Sequence, residues 1–368
     1  MAAPAPQRLI VKVGSSLLVA ADGALRRDWL ATLVTDIAAE RTRGHEVVVV
    51  SSGAIALGAR RLGLPKGGRA NLEDAQAAAA TGQVLLSALW AELLGSHAIT
   101  AAQMLVTLDD LEDRRRYLNA SATLGRLLAL GVVPVINEND SVATAEIRFG
   151  DNDRLAARIG QAAQAGLVLL LSDVDGLYDR PPGTPGARLV DRVARVDDDV
   201  LAMAGSGSGS GMGSGGMRAK LEAARIAAAA GIPLAIASGQ RDHPLAHWRQ
   251  TGLGTLFAAE GGAGGRKAWL AGRLTVAGRI TIDAGAAAAL RAGGSLLAPG
   301  AVAADGAFRR GDVVDIVHDG RAIARGLSEY DAADALRILG LRSDEQAGRL
   351  GHAPRAALVH RDHLVLIV

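Results

Sequence analysis

The chain has no cysteine in its 368 residues, which excludes disulfides and thiolate metal sites and leaves nothing that points to an oxidising compartment. Met1 to Arg8 lacks the apolar core of a signal peptide, and no apolar run reads as long enough to span a bilayer. A cytoplasmic protein with no membrane partner is therefore expected. A charge surplus is missing too. With 40 basic against 38 acidic residues and a net charge of +2, the balance does not announce a polyanion-binding surface. Lysine itself is scarce: Lys12, Lys66, Lys220 and Lys267 are the only four, and the other 36 basic residues are arginine. Two of the four, Lys12 and Lys220, lie beside glycine-rich segments. A compact ammonium on a flexible stem suits a phosphoryl oxygen that moves during reaction better than a planar guanidinium fork does.

What is present is a chain that is 49% hydrophobic and long enough to bury more than one core, so two domains are expected. From residue 9 to about 258, short apolar runs alternate with amphipathic stretches, the pattern of a mostly parallel sheet with helices on both faces. Strands read at 9–13, 46–50, 132–136, 167–171 and 233–237, apolar on consecutive positions as befits strands covered on both sides. Helices fit 27–41, 71–94, 111–130, 154–165 and 218–230. Small or polar residues follow the first four strands at once: Gly14-Ser15-Ser16, Ser51-Ser52-Gly53, Asn137-Glu138-Asn139-Asp140 and Ser172-Asp173. Ligands of open α/β sheets bind outside the carboxyl ends of the strands, so four such clusters describe one site.

Residues 258–269 are glycine-rich without periodicity and mark a domain boundary. Beyond them, strand patterns at 279–282, 313–317, 321–325, 356–360 and 364–368, broken by glycine turns, suggest a small β-rich domain with one or two helices. No internal repeat is found.

Two glycine segments invite phosphate. Val11-Lys12-Val13-Gly14 runs a strand into a glycine turn whose N–H groups can face phosphate oxygens, although a glycine there also serves as a plain turn. The run from Gly205 to Gly213 reads as a flexible Gly/Ser linker. Its continuation, Ser214-Gly215-Gly216-Met217-Arg218-Ala219-Lys220, leads into a helix with Lys220 in its first turn, where N–H groups, the positive helix end and a lysine converge on one anion. Asn137-Glu138-Asn139-Asp140 and Gly150-Asp151-Asn152-Asp153 flank one loop with groups that can grip an ammonium and a carboxylate or hold lysines in place; ordinary turn polarity is the alternative.

Lys12-Val13-Gly14-Ser15-Ser16, Ser51-Ser52-Gly53-Ala54-Ile55, Val135 to Asp140, Gly150 to Asp153, Ser172-Asp173 with Gly176-Leu177-Tyr178, and Ser214 to Lys220 resemble the glutamate 5-kinases of the amino acid kinase family, in the family's order. Gly278 to Asp283 and Arg309-Arg310-Gly311-Asp312 resemble the PUA domain that bacterial members append. The resemblance implies an α/β amino acid kinase fold, a mostly parallel sheet sandwiched by helices, over residues 1–260, a linker at 261–275 and a small β-rich PUA-like domain at 276–368. It implies transfer of the terminal phosphoryl group of ATP to the side-chain carboxylate of L-glutamate, the first step of proline biosynthesis, with Mg2+ held mainly by the nucleotide phosphates and no metal-ligating residue. Lys12 and Lys220 would be catalytic, with Asp153 orienting them. Ser52, Gly53, Asn137, Asp140 and Asn152 would hold glutamate. Lys12, Gly14, Ser172, Asp173, Ser214, Gly215, Gly216, Met217, Arg218, Ala219 and Lys220 would bind ATP.

The same resemblance implies a homo-oligomer, functional coupling to glutamyl phosphate reductase, and proline as a feedback inhibitor in a pocket walled by residues 107–117 and 141–149. N-acetylglutamate kinases, aspartokinases and uridylate kinases share the phosphate loops but not the paired Asn/Asp clusters or the C-terminal domain. RNA is not expected as a partner. Residues 269–368 hold 12 arginines and no lysine against 11 acids, a poor electrostatic footprint for nucleic acid.

Overall fold

The computed structural model describes residues 8–20, 24–142, 151–204, 216–259 and 276–367. The chain forms two compact units, Met1–Glu112 with Asn119–Glu260, and Asp113–Leu118 with Gly261–Val368. The first unit runs β1 (Arg8–Val13), α1 (Ser15–Leu18), α2 (Arg27–Thr42), β2 (Glu46–Ser51), α3 (Ala54–Leu62), α4 (Leu72–Gly95), β3 (Ala101–Val106), α5 (Leu108–Glu112), α6 (Arg114–Ala129, whose residues up to Leu118 belong to the second unit), β4 (Val133–Glu138) and α7 (Asp151–Ala162). It continues through β5 (Leu167–Ser172), β6 (Arg192–Val193), α8 (Asp198–Met203), α9 (Met217–Ala229), β7 (Leu234–Ser238), α10 (Pro244–Thr251) and β8 (Thr255–Phe257).

Its eight strands lie in the order β3-β4-β2-β1-β5-β7-β8-β6, parallel except where β7 meets β8. The predominantly apolar central strands are explained by cover on both faces. On one face Leu9, Val11, Val13, Val47 and Val49 pack with Leu30, Leu33 and Ile37 of α2 and Leu86, Trp90 and Leu94 of α4. Successive residues of a strand point to opposite faces, so Ile10 and Lys12 turn to the other side. There Gly160 of α7 sits so close to Ile10 and Val168 that a Cβ would stand 2.8 Å from the Val168 side chain.

The second unit runs β9 (Gly278–Ile282), α11 (Ala284–Arg291), β10 (Ala301–Gly306), β11 (Val313–His318), β12 (Arg321–Leu327), α12 (Ala332–Ile338), α13 (Ser343–Leu350) and β13 (Leu364–Leu366). Its five-stranded sheet has the order β10-β9-β11-β12-β13 around a core that includes Ile280, Leu290, Phe308 and Ile316. Leu118 belongs to this unit and is buried with Val313, Leu327 and Val365.

The structure corrects several sequence expectations. The strand expected at 356–360 does not form; Val359 makes only a single bridge to Leu296, while β10 supplies the missing edge. The helix expected over 111–130 is broken at Asp113, whose carboxylate accepts the Arg116 N–H at 2.9 Å, the local bond that makes Asp a helix starter. Strands β3, β6 and β8 and helix α3 were not expected. One helix among the described residues, Leu72–Gly95, is long and apolar enough by length and composition to cross a bilayer, contrary to the expectation that no run is; half of its most apolar window is buried. The expected linker at 261–275 lies outside the described residues.

Candidate active site

Strand register assembles the site. Val13 is level with Ser51 on β2 and Leu171 on β5, Val50 with Ile136 on β4, and Ser172 with Ser238 on β7. The segments after these residues therefore leave the sheet along one edge, the carboxyl edge where the strand order departs from chain order.

Lys12 is the last residue of β1 on the face covered by α7 and α9. Asp153 stands in the first turn of α7 and Lys220 in the first turn of α9. The three meet: Lys12 Nζ lies 2.6 Å from Asp153 Oδ1, and Lys220 Nζ lies 2.9 Å from Asp153 Oδ2. Asp153 has no solvent exposure, and the two lysines have 6% and 5%. Burial alone would raise the carboxyl, but the two ammonium groups outweigh it and bring Asp153 down to about 2. Burial pushes the Lys12 ammonium below its ordinary value, with the Lys220 charge adding to the fall and Asp153 opposing it. One buried anion thus holds two cations, leaving a net positive charge at the sheet edge. Gly14 keeps the space above it open: an added Cβ would stand 3.7 Å from Lys12 Nζ.

Beside this triad lies an amide cluster. Gly53 starts α3 at φ +107°, a conformation costly for any other residue. Asn152 Nδ2 donates to Ser52 Oγ at 2.9 Å and to Asn137 Oδ1 at 3.1 Å. A cavity of about 270 Å³ adjoins it, lined by Ala54, Gln83, Gln103, Glu138, Asp140 and Ser141 among others. On the opposite flank Ser172 Oγ donates to Asp173 Oδ1 at 3.1 Å, and the Asp173 charge is felt at Lys12. Gly216 immediately precedes α9, which opens with Met217, Arg218, Ala219 and Lys220.

Of the residues expected from sequence, Lys12, Asp153 and Lys220 form one contact set, and Ser52, Asn137 and Asn152 form another. Asp140 lines the cavity. Ser214 and Gly215 lie outside the described residues, as do residues 143–149 of the expected inhibitor wall, of which Ser141 does line the cavity. Asn152 and Asp153 belong to a helix that begins three residues before the expected 154, so α7 carries them on its first turn. Sequence reasoning missed Arg69, Gln83 and Gln103. Desolvation holds the Arg69 guanidinium below its ordinary value while the Asp140 carboxylate acts against it; among 36 arginines no pattern singles it out. Gln83 did carry a signal: it is a polar side chain on the buried face of an otherwise apolar helix.

Comparison with known proteins bears on the family of the chain. The Amino acid kinase family profile matches residues 7–238, and the PUA domain profile matches residues 278–347. A glutamate 5-kinase of Sphingopyxis alaskensis is 66% identical over 361 residues, covering 98% of this chain and 97% of that one. One from Zymomonas mobilis is 60% identical, with 98% of this chain and 91% of that one covered. Among solved structures, carbamate kinase from Giardia lamblia bound to AMP-PNP superposes with a TM-score of 0.51 at 14% identity, over 69% of this chain and 99% of that one, a likeness of fold alone. With a family profile over most of its length and relatives at 60% and 66% identity over 98% of it, this chain belongs to the amino acid kinase family, in its glutamate 5-kinase branch with a C-terminal PUA domain.

Proposed function

We propose that the chain transfers the γ-phosphoryl group of ATP to the γ-carboxylate of L-glutamate, giving ADP and L-glutamate 5-phosphate, the first step of proline biosynthesis. The observation that carries this reading is the buried Lys12–Asp153–Lys220 triad standing beside the Ser52–Asn152–Asn137 cluster at one sheet edge. A glutamate side chain, with an ordinary pKa of about 4.3, is already ionised at neutral pH, so the acceptor needs no general base. A carboxylate oxygen attacks the γ-phosphorus, the bond to the β,γ-bridging oxygen breaks, and ADP leaves with that electron pair. The protein's task is alignment and neutralisation of charge. Lys12 and Lys220 supply the charge; Asp153 keeps both ammonium groups in place and remains ionised throughout the neutral range.

Gly14, Ser172, Asp173, Gly216 and the α9 start offer the nucleotide side. Ser52, Gly53, Asn137, Asp140 and Asn152 offer the amino acid side. Mg2+ would enter as part of the ATP substrate, held mainly by the nucleotide phosphates, and would lower their charge. The same reading makes this a cytoplasmic, homo-oligomeric enzyme, inhibited by proline and coupled to a reductase that consumes its acyl phosphate.

The test is trapping of the acyl phosphate. Purified protein with Mg-ATP and hydroxylamine is expected to form a hydroxamate with glutamate but not with aspartate or N-acetylglutamate, and to release no ADP with UMP. A preference for N-acetylglutamate or UMP would sink the assignment.

A further inference from the structure

Helix α4 and strand β3 contribute nothing to the chemistry above, yet a continuous line of hydrogen bonds joins them to the acceptor end of the site. Gln83 is buried on α4. Its Nε2 donates to Ser87 Oγ at 3.2 Å, and Ser87 donates to Gln103 Oε1 on β3. Its Oε1 accepts from Asn137 Nδ2 at 2.8 Å. Asn137 Oδ1 accepts the Glu138 backbone N–H at 2.9 Å and Asn152 Nδ2 at 3.1 Å.

The directions of the Asn137, Gln83 and Asn152 amides in this line are dictated. A backbone N–H can only donate, so the Asn137 oxygen must face Glu138. That sends the Asn137 NH2 toward Gln83, which must present its oxygen, and turns the Gln83 NH2 to Ser87. Asn152 in turn must offer its NH2 to Asn137 Oδ1, and this leaves Asn152 Oδ1 shielded from solvent with no donor among the described residues. An acceptor stranded in this way is costly until a donor arrives, and a cationic donor relieves it most.

We infer that Gln83 is a positioning residue of the acceptor site: by holding the Asn137 amide it fixes Asn152 so that the Asn152 carbonyl oxygen receives the α-ammonium of the acceptor amino acid. This rests on the glutamate reading above. It makes Gln83 a determinant of the choice between an amino acid and a dicarboxylate of the same length without an ammonium, such as glutarate.

The experiment compares wild type, Gln83→Leu, Gln83→Glu and Ser87→Ala, measuring glutamate KM and kcat by hydroxamate formation and the inhibition constant of glutarate against glutamate. In Gln83→Leu the glutamate KM is expected to rise about tenfold or more, the effect of one lost bond to a charged group, with kcat and the KM for ATP within about twofold. The glutarate constant should barely move. Ser87→Ala, which only frees the Gln83 amide to turn, should give a smaller shift of the same kind. Gln83→Glu, still an acceptor for Asn137 Nδ2, should recover most of the glutamate KM. Wild-type kinetics in Gln83→Leu, or equal losses for glutamate and glutarate, would overturn the inference. If Gln83→Leu does not fold, Ser87→Ala decides: an unchanged ratio of glutamate KM to glutarate constant rejects it. Wild type that makes no hydroxamate from glutamate rejects the functional reading itself and this inference with it, an outcome told apart because it appears before any variant is compared.

Discussion

Lys12 and Lys220 take opposite oxygens of one carboxylate that has no exposure to solvent, so a single side chain, Asp153, fixes both ammonium groups. The arginine bias of the chain singled out these two lysines, but it singled out Lys66 equally. Lys66 is exposed in a left-handed turn at φ +51° and touches none of the site, and Lys267 lies outside the described residues. Composition registers that a residue type was kept; it does not register why. The physical distinction is burial, because a guanidinium is larger and planar and would have to displace packed neighbours to take a buried ammonium's place beside Asp153. Lys12→Arg and Lys220→Arg are each expected to lower kcat on the order of a hundredfold or more, the scale of one lost preorganised transition-state contact, with glutamate KM little changed. Lys66→Arg should be close to silent. Steady-state kinetics of the three variants checks this, and equally mild effects in all three would remove the lysines from the chemistry.

Helix α3 sits against α4 more closely than side chains ordinarily permit. A Cβ on Gly82 would stand 1.8 Å from the Ala54 carbonyl oxygen, and one on Gly58 would stand 1.8 Å from that of Ala78. This approach brings the Gly53–Ala54 turn beside Gln83, and with it the acceptor cavity. Gly82→Ala is expected to destabilise the fold by about 1–3 kcal/mol, the usual cost of overpacking, and to raise the glutamate KM because the turn after Ser52 must shift. Urea unfolding and glutamate kinetics test it; wild-type stability would mean the helices can part without strain. A second element is held differently. Asp36 of α2, almost fully buried, accepts the Leu245 and Ala246 N–H groups at 3.1 Å and pairs with His243 at 2.8 Å, so α10 is capped by a side chain more than two hundred residues away in sequence. Neither contact is visible in local pattern, which is why neither α3 nor α10 is expected from the sequence.

The chemical groups all precede the glycine-rich stretch, and we propose that the catalytic unit ends there. Removing residues from Trp269 onward should therefore leave phosphoryl transfer to glutamate measurable. The second unit complicates the cut: Leu118, only 1% exposed, packs with Val313, Leu327 and Val365, so the truncation strands a large apolar side chain in water. Burying such a side chain is worth about 1.5–3 kcal/mol, so the truncated chain is expected to melt at lower temperature while keeping its glutamate KM. Circular dichroism melting with parallel hydroxamate assays checks both halves. Complete loss of activity in a truncation that still melts cooperatively would show that the functional unit extends past residue 268.

The sequence by itself determined the fold class, because the nearly continuous apolar runs at Leu9–Val13, Val47–Val50 and Leu167–Leu171 are those of strands covered on both faces, and it pointed to the candidate site, because polar clusters follow those strands at once. It also supplied the candidate site residues we propose, through the motifs around Lys12, Asn137, Asn152 and Lys220. Only the tertiary structure decided which of them touch. That Asp153 serves both lysines depends on strand parity turning Lys12 toward α7 and α9, and that Gln83 meets Asn137 depends on a helix crossing 54 residues away in sequence. Periodicity records which face of an element is apolar; it carries no information about which two faces meet, since burial is non-directional and partners are chosen by shape over the whole chain.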